Sequence, residues 1–294
     1  MRATDVEKNV TKLNGARTRT SYALLALLLC VLASACAART TNENGAAQQK
    51  PATPQTSATP QAAASPQQQA TTATGDGDVT VTPIMHASLQ IEYGGKVIQV
   101  DPTSQGDYSK AKQADLILVT DIHGDHLDPA AIQRIRKAGA PVVAPAAAAV
   151  KIENPTVVAN GESKTVAGVS LEAVPMYNLQ RGPAAGQLFH TKGRGNGYIL
   201  TLGGKRVYIA GDTECTPEMR ALKNIDIAFI PMNLPYTMPP SEAAECVKAF
   251  KPKVVYPYHY RGQNPEEFKT ALAGEPVEVR LLDWYAAQPA AEKK

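Results

Sequence analysis

Two histidines and three aspartates fall within the eight residues Asp121 to Asp128, in the run L-I-L-V-T-D-I-H-G-D-H-L-D that begins at Leu116. Imidazole nitrogen and carboxylate oxygen are ligand types that zinc accepts, at roughly 2.0 to 2.2 Å. Spacings of two and three residues let Asp121, His123, Asp125 and His126 converge on one or two cations where the backbone folds tightly, and Gly124 permits that fold. The apolar residues Leu116 to Val119 read as a buried strand, so the four side chains lie on the loop at its carboxyl end. Taken alone, the stretch has a competing reading as a solvated turn, because Asp and Gly are common in turns.

Elements able to position such a loop surround it. Ser88 to Pro102 holds two alternating runs joined by Gly94 and Gly95, and Gly195 to Asp212 repeats the device with Gly203 and Gly204. Each reads as a hairpin with a two-residue turn. In both, the second strand ends at an aspartate, Asp101 or Asp212, which points to two similar half-domains. Asp128-Pro129, Thr216-Pro217 and Asn264-Pro265 each set a capping residue before a proline at the first helical position. A fourth helix is expected from Pro240 to Phe250, with Ala243, Val247 and Phe250 on one face. Strands near Asp226 to Pro231 and Lys253 to Tyr258 alternate with these helices, so the sheet is expected to be mixed with helices outside.

The 294 residues divide by composition. Residues 1–35 read as a signal peptide: Lys8, Lys12, Arg17 and Arg19 precede the apolar run Tyr22 to Ala33 and the small residues Ser34 and Ala35. The L-A-S-A-C ending resembles a lipobox that would lipidate Cys36, with cleavage after Ala35 without lipidation as the alternative. Residues 36–78 are rich in Ala, Thr, Gln and Pro, and read as a disordered tether lacking the apolar surface to offset ordering entropy. Residues 79–288 read as one globular domain and 289–294 as a tail. The expected location is therefore the bacterial cell envelope, by export and a lipid anchor at Cys36 in the membrane. Beyond Asp78 the chain carries 23 Lys and Arg against 22 Asp and Glu, without an arginine cluster, which excludes a nucleic-acid groove. Neither a G-x-S-x-G elbow nor a G-x-x-x-x-G-K-[ST] loop offers another chemistry.

The loop after Val119 resembles the H-x-H-x-D-H signature of the metallo-β-lactamase fold, with Asp121 in the place of the first histidine. Later motifs resemble that fold in the same order: His190 before a Gly-rich strand start, Asp212 at a strand end, and His259 after the apolar strand V-V-Y-P-Y. His86, in M-H-A-S-L-Q-I, resembles the Gly-His-Ser/Ala step of the short branch with ascorbate-6-phosphate lactonase-like and N-acylphosphatidylethanolamine phospholipase D-like proteins, with Met85 replacing the glycine. The resemblance spans about Val79 to Trp284. It implies an α/β four-layer αββα sandwich with two mixed sheets and helices outside. It also implies one metal held by Asp121, His123 and His190, a second by Asp125, His126 and His259, and Asp212 between them.

Two Zn2+ ions are expected, with Mn2+ or Fe as alternatives because Asp121 is a harder ligand than histidine. The resemblance implies a metal-dependent hydrolase whose hydroxide attacks a small-molecule lactone, ester or phosphodiester, with Asp125 orienting the nucleophile. His86 is expected at the pocket edge as a catalytic or substrate contact, against a reading as an ordinary hydrogen-bonded histidine. A tethered metal-containing binding protein without turnover is the alternative function. Cys215 and Cys246 read as two unpaired, partly buried thiols, with a disulfide between them as the alternative in an exported protein, and Trp284 reads as core.

Overall fold

The computed structural model describes residues 69–74 and 77–286, so the signal segment, Cys36, most of the tether and the tail lie outside the described residues. Seven strands form the first sheet in chain order: β1 (Ala70–Thr74), β2 (Gly77–Met85), β3 (Ser88–Tyr93), β4 (Lys96–Val100), β5 (Leu116–Leu118), β6 (Val142–Ala144) and β7 (Thr156–Val157). The second holds β8 (Ser163–Val166), β9 (Val169–Met176), β10 (Gly195–Leu202), β11 (Lys205–Ile209), β12 (Ile227–Pro231), β13 (Val254–Tyr258) and β14 (Glu278–Val279), again in chain order. Each sheet is antiparallel through its first four strands and parallel beyond them. The two half-domains expected from the repeated hairpin are thus present.

Both Gly-Gly turns close as read from the sequence, with Tyr93 opposite Lys96 and Leu202 opposite Lys205. All four turn glycines have positive φ, between 54° and 75°, as a tight two-residue hairpin requires. The helices are α1 (Pro129–Ile135), α2 (Ala146–Ala149), α3 (Pro217–Arg220), α4 (Pro240–Phe250) and α5 (Pro265–Ala271). Asp128, Thr216 and Asn264 cap α1, α3 and α5 by accepting from backbone N–H groups of the first turn, a contribution of about 1 kcal/mol each.

Burial follows the pleat. Leu116 and Leu118 of β5 face the space between the sheets, packed in one cluster with Leu200, Ile227 and Phe229 of the second sheet. Ile117 points the other way, onto Ile132 and Ile135 of α1. Ile230 of β12 faces Val247 and Phe250 of α4 in a third cluster. Three cores therefore separate four layers, helix, sheet, sheet and helix. Trp284 lies in the core between the sheets.

Two expectations are corrected. The start of the domain was read at Val79, yet β1 pairs Ala70–Thr74 with β2, so ordered sheet begins inside the polar stretch. An edge strand is held by backbone hydrogen bonds to its neighbour and needs few large apolar side chains, so composition does not reveal it. Cys215 and Cys246 were read as unpaired thiols; they form a disulfide, with Cα atoms 5.5 Å apart, which ties the segment before α3 to α4.

Candidate metal centre

The polar residues singled out in the sequence gather at the carboxyl ends of the parallel strands, where open α/β sheets commonly bind ligands. Asp101 follows β4, Asp121 to His126 follow β5, Asp212 follows β11 and His259 follows β13. His86 sits in the turn after β2, and His190 on the loop between β9 and β10. His86, Asp101 and His259 have φ of 55°, 45° and 48°, a left-handed conformation uncommon for non-glycine residues. Three such residues at one place suggest that backbone strain is spent on aiming side chains.

Two groups of potential ligands result, and they are the two sets the resemblance implied. Asp121, His123 and His190 form one, and Asp125, His126, Asp212 and His259 the other; within each group the ligand atoms lie within 4.8 Å of one another. Asp212 joins the groups: its Oδ2 is 3.3 Å from both His126 Nε2 and His190 Nε2, and its Oδ1 is 3.2 Å from His259 Nε2. In the first group, Asp121 Oδ2 is 2.7 Å from His123 Nδ1 and 3.8 Å from His190 Nε2.

The outer nitrogens of His126 and His190 are tied down. His126 Nδ1–H donates to Asp101 Oδ2 at 2.8 Å, and Thr120 holds that carboxylate through its N–H and hydroxyl at 2.7 and 2.6 Å. His190 Nδ1–H donates to Asn178 Oδ1 at 2.7 Å, while the Asn178 amide donates to Glu214 and to the Tyr236 carbonyl. Each bond selects the tautomer whose Nε2 lone pair faces inward, as second partners of metal-binding histidines do.

Facing inward, Asp121 Oδ1, His126 Nε2, His190 Nε2, Asp212 Oδ1 and His259 Nε2 are buried without a hydrogen-bond partner. A buried polar atom left unmatched is costly, and five on one spot are a donor set matched to cations. Imidazole nitrogens mixed with carboxylate oxygens fit Zn2+, Mn2+ or Fe, so the residues present fit the metal the resemblance implied.

The carboxylates and imidazoles of the cluster shift one another's ionisation. Burial alone would raise the Asp212 carboxyl, but His259 and His126 hold it well below the usual range. Burial likewise opposes the ionisation of Asp121 and is outweighed, chiefly by the His123 hydrogen bond, which brings its pKa to about 2. His126 is pushed well up against its burial by Asp212, Asp101 and Asp125. His86 is lowered to about 3, first by burial and then by His259, whose ring stacks on it with centroids 3.6 Å apart. His86 Nε2 lies 3.5 Å from Asp125 Oδ2, and its Nδ1 is 2.7 Å from the Tyr285 hydroxyl.

A cleft of about 680 Å³ opens onto the cluster, lined by His86, His123, Asp125, His190 and Asp212 at its base. Phe189, Leu234 and Tyr236 give it apolar surface, and Arg261 gives it one cation. Asn233 to Tyr236, on the loop between β12 and α4, are thus part of the wall. Sequence reasoning missed Asn178, Arg194, Arg261 and Tyr285 as neighbours of the site. For Asp101 a signal existed, because it ends the first copy of the hairpin that Asp212 ends in the second.

Residues 68–259 match the family model described as Beta-lactamase superfamily domain. A UPF0173 metal-dependent hydrolase of Thermococcus kodakarensis is 36% identical over 223 residues, covering 69% of this chain and 96% of its own. A crystallised protein of Parabacteroides distasonis is 44% identical with a TM-score of 0.70, over 74% of this chain and 99% of its own. A metallo hydrolase of Ignicoccus hospitalis is 25% identical with a TM-score of 0.58, over 69% and 94%.

Proposed function

Because the chain belongs to the beta-lactamase superfamily, among its UPF0173 metal-dependent hydrolases, we propose that the two clusters are its metal centre and that the cleft takes an acid-bearing ester, lactone or phosphodiester. The carrying observation is the set of buried, partnerless nitrogen and oxygen atoms that converge from Asp121, His126, His190, Asp212 and His259. Metal ions held there, with zinc favoured by the donor types, would supply Lewis acidity and bring the pKa of water down to about 7. Asp212, between the clusters, spaces the two sites. Asp125 is the more exposed of the two ligand-group carboxylates that line the cleft, and it accepts and orients the proton of the attacking water. His86 is held neutral beside it, oriented by the Tyr285 hydroxyl, and contacts substrate or the Asp125 carboxylate.

The preference for an acidic substrate rests on Arg261. It is exposed at the cleft, 3.5 Å from Gln105 Oε1, and no carboxylate pairs with it among the described residues. Exposed Leu234 and Tyr236 beside it suit an apolar portion of the same molecule. Export and a lipid anchor at Cys36 belong to the same proposal and rest on the sequence of residues outside those described.

The test is metal content and turnover on the full chain purified without added metal, with His123→Ala and Asp125→Asn alongside. Close to two equivalents per chain, fewer in His123→Ala, with hydrolysis of an acid-bearing ester lost in Asp125→Asn, is the expected result. Bound metal without turnover of any ester, lactone or phosphodiester would replace the hydrolase with a metal-containing binding protein. Absence of metal would overturn the centre itself.

A further inference from the structure

The signature that the loop resembles has a neutral histidine where this chain has Asp121, and a fully buried carboxylate there adds a negative charge to the first cluster. One cation meets it. Arg194 Nη2 lies 3.2 Å from Asp121 Oδ2 and 3.5 Å from His123 Nε2, and among the described residues Asp121 is the only carboxylate that pairs with Arg194. The Arg194 side chain is itself about three-quarters buried, which limits its screening by water.

Its position is built by the strand that follows. A side chain at Gly195 would run into Met176 and come within 2.9 Å of the Thr120 carbonyl, so glycine lets the start of β10 lie directly against the loop after β5. Asn196 N–H donates to that Thr120 carbonyl at 2.9 Å, which holds the start of β10 alongside residue 120 and brings Arg194, one residue before the strand, beside Asp121.

We propose that Asp121 and Arg194 act as a pair that stands in for the neutral histidine, Arg194 cancelling the charge Asp121 brings and so setting how tightly the first cluster holds a divalent cation. This rests on the reading of the two clusters as a metal centre. A cation this close to a ligand oxygen must weaken metal binding relative to the bare carboxylate, and a neutral ligand beside the same arginine would leave the metal facing an uncompensated positive charge.

The experiment compares the full chain with Arg194→Gln, Asp121→His and the double variant Asp121→His/Arg194→Gln. Dissociation constants for Zn2+ are measured by competition with a chromogenic chelator, circular dichroism reports folding, and the first-cluster equivalent is the one that His123→Ala removes. Arg194→Gln is expected to bind that equivalent at least about ten-fold tighter, and Asp121→His at least about ten-fold weaker. The double variant should return to within about three-fold of the parent, because losing the positive charge offsets losing the negative one and the two opposite effects add. Unchanged or weaker binding in Arg194→Gln would overturn the proposal, as would a double variant no better than Asp121→His. Either result with two equivalents still bound leaves the metal centre standing, whereas no metal in any of the four proteins removes both.

Discussion

Asp101 Oδ2 and His126 Nδ1 lie 2.8 Å apart, both side chains wholly buried, although the residues come from different strand ends. The contact settles which imidazole nitrogen faces Asp212. Replacing the carboxylate with an amide loses a charged acceptor while keeping its shape. Asp101→Asn is therefore expected to fold and to bind metal 10- to 100-fold more weakly, roughly the usual effect of removing such a partner. Competition with a chelator, alongside circular dichroism, measures both.

The disulfide joins Cys215, three residues beyond Asp212, to Cys246 in α4 across a sequence separation of 31. A loop of that length, once closed, restrains the unfolded chain by about 3 to 4 kcal/mol in the chain-entropy account. The variant Cys215→Ala/Cys246→Ala should lose stability of that order in urea unfolding. Dithiothreitol should then destabilise the parent and leave the variant unaffected.

Asp226 ties three segments together, accepting from the Arg206 N–H at 2.9 Å and from Lys253 Nζ at 2.8 Å, with Lys205 Nζ at 3.9 Å. Burial opposes its ionisation, but Lys253 and the Arg206 N–H together hold its pKa below the ordinary 3.8. A carboxyl lowered on folding stabilises the native state above its unfolded pKa and ceases to do so as pH falls through the folded value. Asp226→Asn should accordingly cost about 1 kcal/mol at pH 7 and progressively less below about pH 4. Urea midpoints for both proteins across that range check the sign.

Arg261 is the cleft's cation without an ion-pair partner among the described residues. Arg261→Ala should reduce the preference for a carboxylate-bearing ester over its neutral methyl ester by about ten-fold in kcat/KM, mainly through KM. Equal losses on both substrates would show that Arg261 supports the fold of the cleft and does not read charge.

Much of this protein is written in short-range signals. The Gly-Gly turns at 94–95 and 203–204, the caps Asp128, Thr216 and Asn264, and the apolar run ahead of Asp121 each act within a few residues, so periodicity and turn chemistry reveal them. The order of His123, His126, His190, Asp212 and His259 along the chain carried the resemblance to the metallo-β-lactamase fold, and the division into two ligand groups was what that resemblance implied. What surrounds those groups was decided by the tertiary structure. Arg194 meets Asp121 across 73 residues, and the Tyr285 hydroxyl meets His86 across 199. Asn178 reaches His190 only because β9 and β10 pair with Gly195 opposite Met176. The Cys215–Cys246 bond and β1 are of the same kind. A partner supplied by a distant strand leaves no local pattern, since its position depends on sheet register and on how layers pack, and these are set by the whole core at once.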